Sequence, residues 1–173
     1  ATGTNLFARG LETGDAPELW SVTHPDRIAA NYQSFVDAGS DIILTNTFGG
    51  THYRLKLHDA AHRVHELNVA GVKIGCEVAD KAGRPVIIAG SIGPTGEIPE
   101  PMGTLSHADA VAAFAEQAKA LKDGGADVLW IETMSSTQEA EAAIEGANQT
   151  GLPVICTYSF DTNGRSMMGI TPA

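Results

Sequence analysis

The sequence predicts an α/β protein built on a parallel (β/α)8 TIM barrel, of which it holds an incomplete N-terminal portion of about four to five β/α units. Three observations predict it. Four short apolar runs are continuous rather than alternating, amphipathic helical segments lie between them, and residues 37–47 resemble residues 123–133 position by position. Continuous apolar runs suit strands covered on both faces of a parallel sheet. The internal echo repeats a helix end, a glycine turn, a strand and a polar strand end. That repetition suits a barrel better than an open doubly wound sheet, although an open sheet also alternates.

Taken in order, the chain opens with residues 1–5, read as the loop that follows a first strand, the strand itself being absent. Thr23, with Asp26 three residues on and Pro25 in the first turn, predicts a helix start, and Gly39 predicts its end. The first apolar run, residues 41–45, follows. A longer helix over residues 63–82 presents Val64, Leu67, Gly71, Ile74 and Val78 on one face. After the second run, residues 85–89, Ser106 and Asp109 open a helix whose Val111, Phe114, Ala118 and Leu121 form a buried stripe. The third run, residues 127–131, leads to a helix opened by Ser136 and Glu139, with Ala140, Ala143, Ile144 and Ala147 inward and Gly151 as its stop. The fourth run spans residues 153–157.

Each run is preceded by a helix-stop glycine. No linker or second domain is read, so residues 1–173 form one partial barrel domain that lacks its first strand and C-terminal units. A whole barrel takes roughly 250 residues. An open half-barrel exposes two edge strands and an apolar interior, so the chain is expected to be a fragment or to depend on a partner.

The formal charge of −10 and the pI of about 4.9, with no basic run, exclude a nucleic-acid surface, since phosphate contacts need clustered Lys and Arg. No stretch reaches the roughly 18 apolar residues of a membrane helix, and no signal pattern opens the sequence. The expected setting is the cytoplasm. Cys76 and Cys156 are far apart and are expected to be reduced thiols.

In such a barrel the reactive groups gather at the C-terminal strand ends. This directs attention to residues 1–5, 46–50, 91–105, 132–134 and 159–161. The connection over residues 90–103 holds four glycines and three prolines. Long structured connections are disproportionately functional, and the alternative is a rigid lid over the mouth. With neither a Lys-Ser/Thr pair nor G-x-G-x-x-G spacing, it is not a phosphate cradle. Glu132 follows four apolar strand residues and points to the mouth, where a carboxylate can take a substrate ammonium or simply pair with an arginine. Asn46, Thr47 and Ser159 offer neutral hydrogen bonds at neighbouring strand ends, or satisfy loop backbone. His58, His62 and His65 have helical spacing but no His-Glu-x-x-His pattern, so a solvent-facing stripe is expected, and no metal site is assigned within the chain.

Five segments in order resemble the homocysteine S-methyltransferase family, shared by betaine-homocysteine methyltransferases and the homocysteine-binding domain of cobalamin-dependent methionine synthases. Ala1-Thr-Gly-Thr4 looks like the end of the family's Asp-Gly-Ala-x-Gly-Thr opening. Thr45-Asn-Thr-Phe48, Ala89-Gly-Ser-Ile-Gly-Pro-Thr95 and Ile131-Glu-Thr133 look like its second-, third- and fourth-strand motifs. Residues 159–169 look like its fifth-strand loop. The resemblance implies methyl transfer to the zinc-activated thiol of homocysteine, giving methionine.

By that resemblance Glu132 holds the substrate ammonium. Asn46, Thr47, Phe48, Gly93, Pro94 and Thr95 line the pocket with Thr2, Gly3 and Ser159, and Trp20 sits toward the methyl donor. The opening Asp is absent before Ala1, and the three zinc cysteines of the family lie beyond residue 173. The implied partners are homocysteine and a methyl donor: betaine, a methylated corrinoid or folate, or S-methylmethionine, with similarity leaning toward the bacterial betaine-type branch. Zinc removes the thiol proton, so the full-length protein is expected to be active and the segment alone inactive.

Two other readings compete. An aldolase or isomerase acting on a phosphorylated substrate needs a strand-end Lys or a phosphate loop, and the visible strand ends carry no Lys. A half-barrel module that pairs with another copy needs only the exposed apolar interior.

Overall fold

A computed structural model describes residues 2–161 and 163–172. Each strand follows a glycine with positive φ: Gly39 (92°), Gly83 (69°), Gly125 (100°) and Gly151 (74°). A left-handed residue lets the chain leave the helix while its last carbonyls stay bonded, and only glycine does so without a steric cost. At Gly125 the N–H donates back to Leu121 and Lys122. The glycine punctuation seen in the sequence is therefore the backbone geometry that starts each strand.

The elements run α1 (Thr2–Phe7), α2 (Trp20–Thr23), α3 (Pro25–Asp37), β1 (Ile42–Leu44), α4 (His52–Leu55), α5 (Val64–Asp80), β2 (Ile87–Ile92), α6 (His107–Gly124), β3 (Val128–Met134), α7 (Thr137–Asn148) and β4 (Val154–Tyr158). Short 3-10 turns occupy Pro17–Leu19, Lys56–His58 and Ala61–Arg63. The four strands form one parallel sheet in sequence order, β1-β2-β3-β4. That order, with a helix in every crossover, is the β/α alternation the sequence predicts.

One face of the sheet carries the core. Ile43, Ile88, Leu129 and Ile131 are buried there against Ile28, Tyr32, Val72, Phe114, Leu121 and Ala143 of the helices. Helices α5, α6 and α7 pack side by side over it. The predicted inward face of α5 holds, with Val64, Leu67, Gly71, Ile74 and Val78 all buried; in α6 Phe114, Ala118 and Leu121 are buried and Val111 is only partly so. Ser106 and Ser136 cap α6 and α7 as the sequence predicts, each side chain accepting from the backbone N–H three residues on, at Asp109 and Glu139.

Four expectations are corrected. Residues 2–5 are not a loop but the start of α1, which fully buries Leu6 and is tied to α3 by Arg27 donating to the Arg9 carbonyl; Ala1 lies outside the described residues. Thr23 does not cap α3, because it ends α2 with its hydroxyl bonded to the Leu19 carbonyl, and His24 takes the cap position. His58, His62 and His65 are exposed but share no helix, since Asp59 adopts φ 55° and breaks the chain into separate turns. The strands are not covered on both faces: Ile42 and Ile87 are 37% and 42% exposed, and every residue of β4 is only half-buried. Their continuous apolar character matches the interior of a barrel whose other wall is not among these residues.

Strands β2 and β3 also run further than their apolar runs. β2 continues through Gly90, Ser91 and Ile92, and β3 through Glu132, Thr133 and Met134. Gly90, Ser91 and Ile92 are therefore held in the ladder against Leu129, Trp130 and Ile131, while Glu132 and Thr133 fall in a register shift before Met134 pairs with Tyr158. Among the described residues, no helix is long and apolar enough to cross a membrane.

Candidate functional site

The strand tips open into a cavity of about 430 Å³ lined by Thr45, Asn46 and Phe48 after β1, Ser91 of β2, and Glu132 and Thr133 of β3. The N-terminal segment closes one side with Thr2, Gly3, Asp15, Pro17 and Glu18, and Gly49, Arg54 and His58 complete the wall. Glu132 is half-buried, and its carboxylate accepts a 2.5 Å hydrogen bond from the Ser91 hydroxyl. The register of β3 against β4 shifts between Ile131 and Met134, and Thr133 takes φ 65°, an uncommon conformation for a β-branched residue. This irregularity sits directly after Glu132.

Ser91 is fixed from both sides. Its N–H donates to Thr45 Oγ1 (3.1 Å) and its carbonyl accepts from Thr47 Oγ1 (2.7 Å). Since Thr47 spends its hydrogen on that carbonyl, the 2.7 Å contact between the two hydroxyls has Thr45 donating to Thr47. Beneath them Gln117, buried in α6, donates through Nε2 to the Thr47 carbonyl (2.7 Å), to Asn68 Oδ1 (3.1 Å) and to the Ser91 carbonyl (3.3 Å). A helix side chain thus reaches the ends of two strands and holds their tips together.

Asn46 is fixed by different partners. Its Nδ2 donates to the Pro17 carbonyl (2.7 Å) and to Ser21 Oγ (3.2 Å), and its N–H donates to the Tyr32 hydroxyl (2.5 Å). Tyr32 is 1% exposed, and burial pushes its phenol well above the usual range, so the hydroxyl keeps its proton and donates to the Gly71 carbonyl. Glu18 is 6% exposed and accepts from the Gly49 N–H at 2.7 Å. Burial raises its pKa; the hydrogen bonds from its own backbone and Gly49, and the charges of Arg54 and His58, pull the other way without cancelling it.

The expected site residues divide into four groups. Thr2, Gly3, Asn46, Phe48 and Glu132 come together in the cavity wall. Thr47, Gly93 and Thr95 act behind it. Thr47 is fully buried, and a Cβ on Gly93 would stand 2.6 Å from the Phe48 ring, so only glycine lets that ring lie against the β2 end. Thr95 is 2% exposed and donates from both N and Oγ1 to Glu139 Oε1 (2.8 and 2.6 Å), which pins the long connection to α7. Pro94 and Ser159 line a neighbouring cavity of about 300 Å³ with Ser135, Met167 and Met168, and Thr133 borders both cavities. Trp20 belongs to neither. It is 6% exposed in the core, with the Arg27 guanidinium 5.0 Å above its ring.

Sequence reasoning passed over Asp15, Glu18, Arg54 and Ser91, and read His58 only as part of a solvent-facing stripe. Ser91 lay inside a quoted motif and was not singled out. Thr51 carried a faint signal for Arg54, because it caps α4 by accepting from the Arg54 N–H. Nothing local marks Glu18, whose importance comes from being folded under Gly49.

No three His, Cys, Asp or Glu side chains converge on a possible metal position among the described residues. Cys76 and Cys156 lie on α5 and β4, and burial pushes both thiols above their usual pKa, away from the thiolate form a metal needs. The described residues do not form a zinc site.

Residues 1–173 match the family model described as homocysteine S-methyltransferase. The chain is 30% identical to the methionine synthase of Mycobacterium tuberculosis over 98% of its own length, and 31% identical to that of Mycobacterium leprae over 93%. It spans only 15% and 14% of those proteins. Among solved structures, the metallated form of the homocysteine methyltransferase MmuM from Escherichia coli superposes with a TM-score of 0.82 at 22% identity, covering 99% of this chain and 65% of that one. The oxidised form gives 0.79 at 22% identity, covering 98% and 63%. At this identity the likeness shows the fold: the four-stranded sheet and its helices are part of a (β/α)8 barrel.

Proposed function

The chain belongs to the homocysteine S-methyltransferase family, and from that premise we propose that the strand-end cavity is the acceptor half-site of a methyl transfer to homocysteine that yields methionine. The observation that carries this reading is Glu132: a half-buried carboxylate at the tip of β3, oriented by Ser91 and lining the cavity. A substrate ammonium brought there gains a charge-assisted hydrogen bond while much of its water is removed, where such bonds are strongest. Asn46 and Phe48 shape the wall beside it.

In the reaction the thiol loses its proton and its sulfur takes the methyl group from the donor. The zinc implied by the family resemblance finds no ligand set among the described residues, so their contribution is to bind and orient the amino acid. The 173-residue chain alone is accordingly proposed to bind homocysteine without turning it over. The proposed setting is the cytoplasm, where both thiols stay reduced.

Calorimetric titration of homocysteine into the chain and into Glu132→Gln tests the assignment. The expected result is affinity lower by about ten- to hundredfold in the variant, the worth of a hydrogen bond to a charged group. Equal affinity in the two proteins would remove Glu132 from the site, and zinc-dependent methionine formation by the chain alone would overturn the division of labour.

A second reading, association of two half-barrels, is favoured by the exposure of Ile42 and Ile87 on the open sheet face. Sedimentation across concentrations reads it directly: a mass that doubles supports it, and a constant monomer mass rejects it.

A further inference from the structure

The third strand breaks its own alternation at the mouth. Ile131 pairs with Cys156 and Met134 with Tyr158, so Glu132 and Thr133 of β3 stand opposite the single residue Thr157 of β4, a β-bulge. Residues two apart on a regular strand share a face, which would send Thr133 under the helices with Ile131. It is exposed instead, and Met134 is fully buried in the core in its place. The bulge gives the mouth an extra side chain beside Glu132.

That side chain is ill suited to the backbone it occupies. Thr133 has φ 65°, and among the described residues the other non-glycines with positive φ are Asp59 and Asn163, whose short polar side chains tolerate it. A β-branched residue is strained there, and glycine would take the same conformation freely. The surroundings impose it. Ser91 holds the Glu132 carboxylate just ahead, the Ser159 N–H donates to the Met134 carbonyl just behind, and the Ser166 hydroxyl donates to the Ser135 carbonyl. The Thr133 hydroxyl has no hydrogen-bond partner among the described residues.

Its location supplies a use. Thr133 lines both the strand-tip cavity of about 430 Å³ and the neighbouring one of about 300 Å³, and no other described residue lines both. The first is polar around Glu132, Ser91 and Asn46, whereas the second is bounded by Pro94, Ile98, Pro99, Met167 and Met168. Strain held at a cavity wall, in a side chain with no bond to the protein, marks a role toward a ligand.

We propose that Thr133 is the partition between the two cavities and limits the size of amino acid the strand-tip site accepts, by barring a large apolar side chain from the second cavity. The proposal rests on the reading of the first cavity as an amino-acid site anchored at Glu132, and makes the next residue along the strand its specificity determinant.

Homocysteine and S-benzylhomocysteine share the amino-acid end and differ by one apolar ring. Each is titrated into the chain and into Thr133→Gly, Thr133→Asn and Glu132→Gln, and the melting temperature of every protein is recorded. Thr133→Gly removes strain and wall together. It is expected to melt about 2–4 °C higher than the unaltered chain and to shift the affinity ratio about ten- to hundredfold toward the benzyl ligand. Thr133→Asn tolerates the backbone and keeps a side chain of similar reach, so it is expected to melt higher while holding the ratio within about threefold. Thr133→Ala carries the comparison if Thr133→Gly does not fold.

A ratio left within about threefold by Thr133→Gly overturns the proposal, and so does a Thr133→Gly chain that melts lower than the unaltered one. An equal shift in Thr133→Asn also overturns it, because selectivity would then follow backbone freedom and not the wall. Should Glu132→Gln leave homocysteine unchanged while Thr133→Gly still shifts the ratio, the ammonium anchor fails and the partition stands. If neither the unaltered chain nor Thr133→Gly binds either ligand, both fail.

Discussion

Ser91 pairs with Trp130 in the ladder between β2 and β3, yet its hydroxyl bonds to Glu132, two residues further along, at 2.5 Å. Residues two apart on a strand share a face, so both side chains emerge on the side away from the helices and meet at the mouth. The hydroxyl selects one orientation of the carboxylate before any ligand arrives. Preorganisation of this kind lowers the cost of binding, because less freedom is lost when the ligand enters.

Removing that hydroxyl tests the relationship. Ser91→Ala is expected to weaken homocysteine binding by about three- to tenfold, near 1 kcal/mol for one hydrogen bond, and to leave the fold intact. Titration calorimetry measures it, and a change of less than twofold would mean that Glu132 is oriented without Ser91.

The link beneath the site is a stability determinant. Gln117→Leu strips the donor from the Thr47 and Ser91 carbonyls and from Asn68 Oδ1, all in a region with no water access. The expected loss is about 1–3 kcal/mol, chiefly from Asn68 Oδ1 left without a donor, since the Thr47 carbonyl keeps the Gly50 N–H and the Ser91 carbonyl keeps the Thr47 hydroxyl. Urea unfolding reads it, and a loss below about 1 kcal/mol would show that the network is not what joins the strand tips.

Glu18 sets a pH dependence whose sign follows from its burial. Its pKa in the folded protein lies above the ordinary 4.5, so the folded state holds that proton more tightly than the unfolded chain does. Its contribution to stability is fully present below pH 4.5 and is lost as the pH rises through the folded value. Glu18→Gln, which keeps a carbonyl for the Gly49 N–H, is expected to melt higher than the native chain at pH 8 and to lose that advantage toward pH 4. A melting difference that is constant over this interval would contradict the assignment.

Phe48 rests where Gly93 has no side chain. In Gly93→Ala the new methyl group stands inside contact distance of the ring, 2.6 Å from its nearest atom, and the ring must turn away. Phe48 is 36% exposed and has room to do so. The expected outcome is a modest loss of stability, about 1–2 kcal/mol, with a larger effect on homocysteine affinity than on melting temperature. Unchanged affinity would take Phe48 out of the pocket wall.

The residues that name the fold were visible because each acts locally. Glycine adopts positive φ without steric cost whatever surrounds it, and Ser106 and Ser136 cap their own helices. The stripe Val64, Leu67, Gly71, Ile74 and Val78 is a matter of helical period alone. Glu132 was visible for a related reason: a carboxylate ending an apolar strand is anomalous in one dimension. The errors arose where a local signal met a competitor. Thr23 has the spacing of a cap but was already bonded within α2, and residues 2–5 read as a loop until Leu6 found the core.

By itself, then, the sequence determined the alternation of strands and helices, the helix ends and the strand tips where chemistry gathers, since these depend on backbone conformation and period. Tertiary structure alone decided which polar groups share the cavity. Glu18 comes from a segment with no motif, and it matters because the turn after β1 folds it under Gly49, with Arg54 and His58 in the same wall. Thr47 and Thr95, which sequence placed in the wall, turn inward to bond Ser91 and Glu139 instead. Burial and partnership are properties of three-dimensional neighbours, and the energy of a charged group is set by those neighbours rather than by its place in the chain.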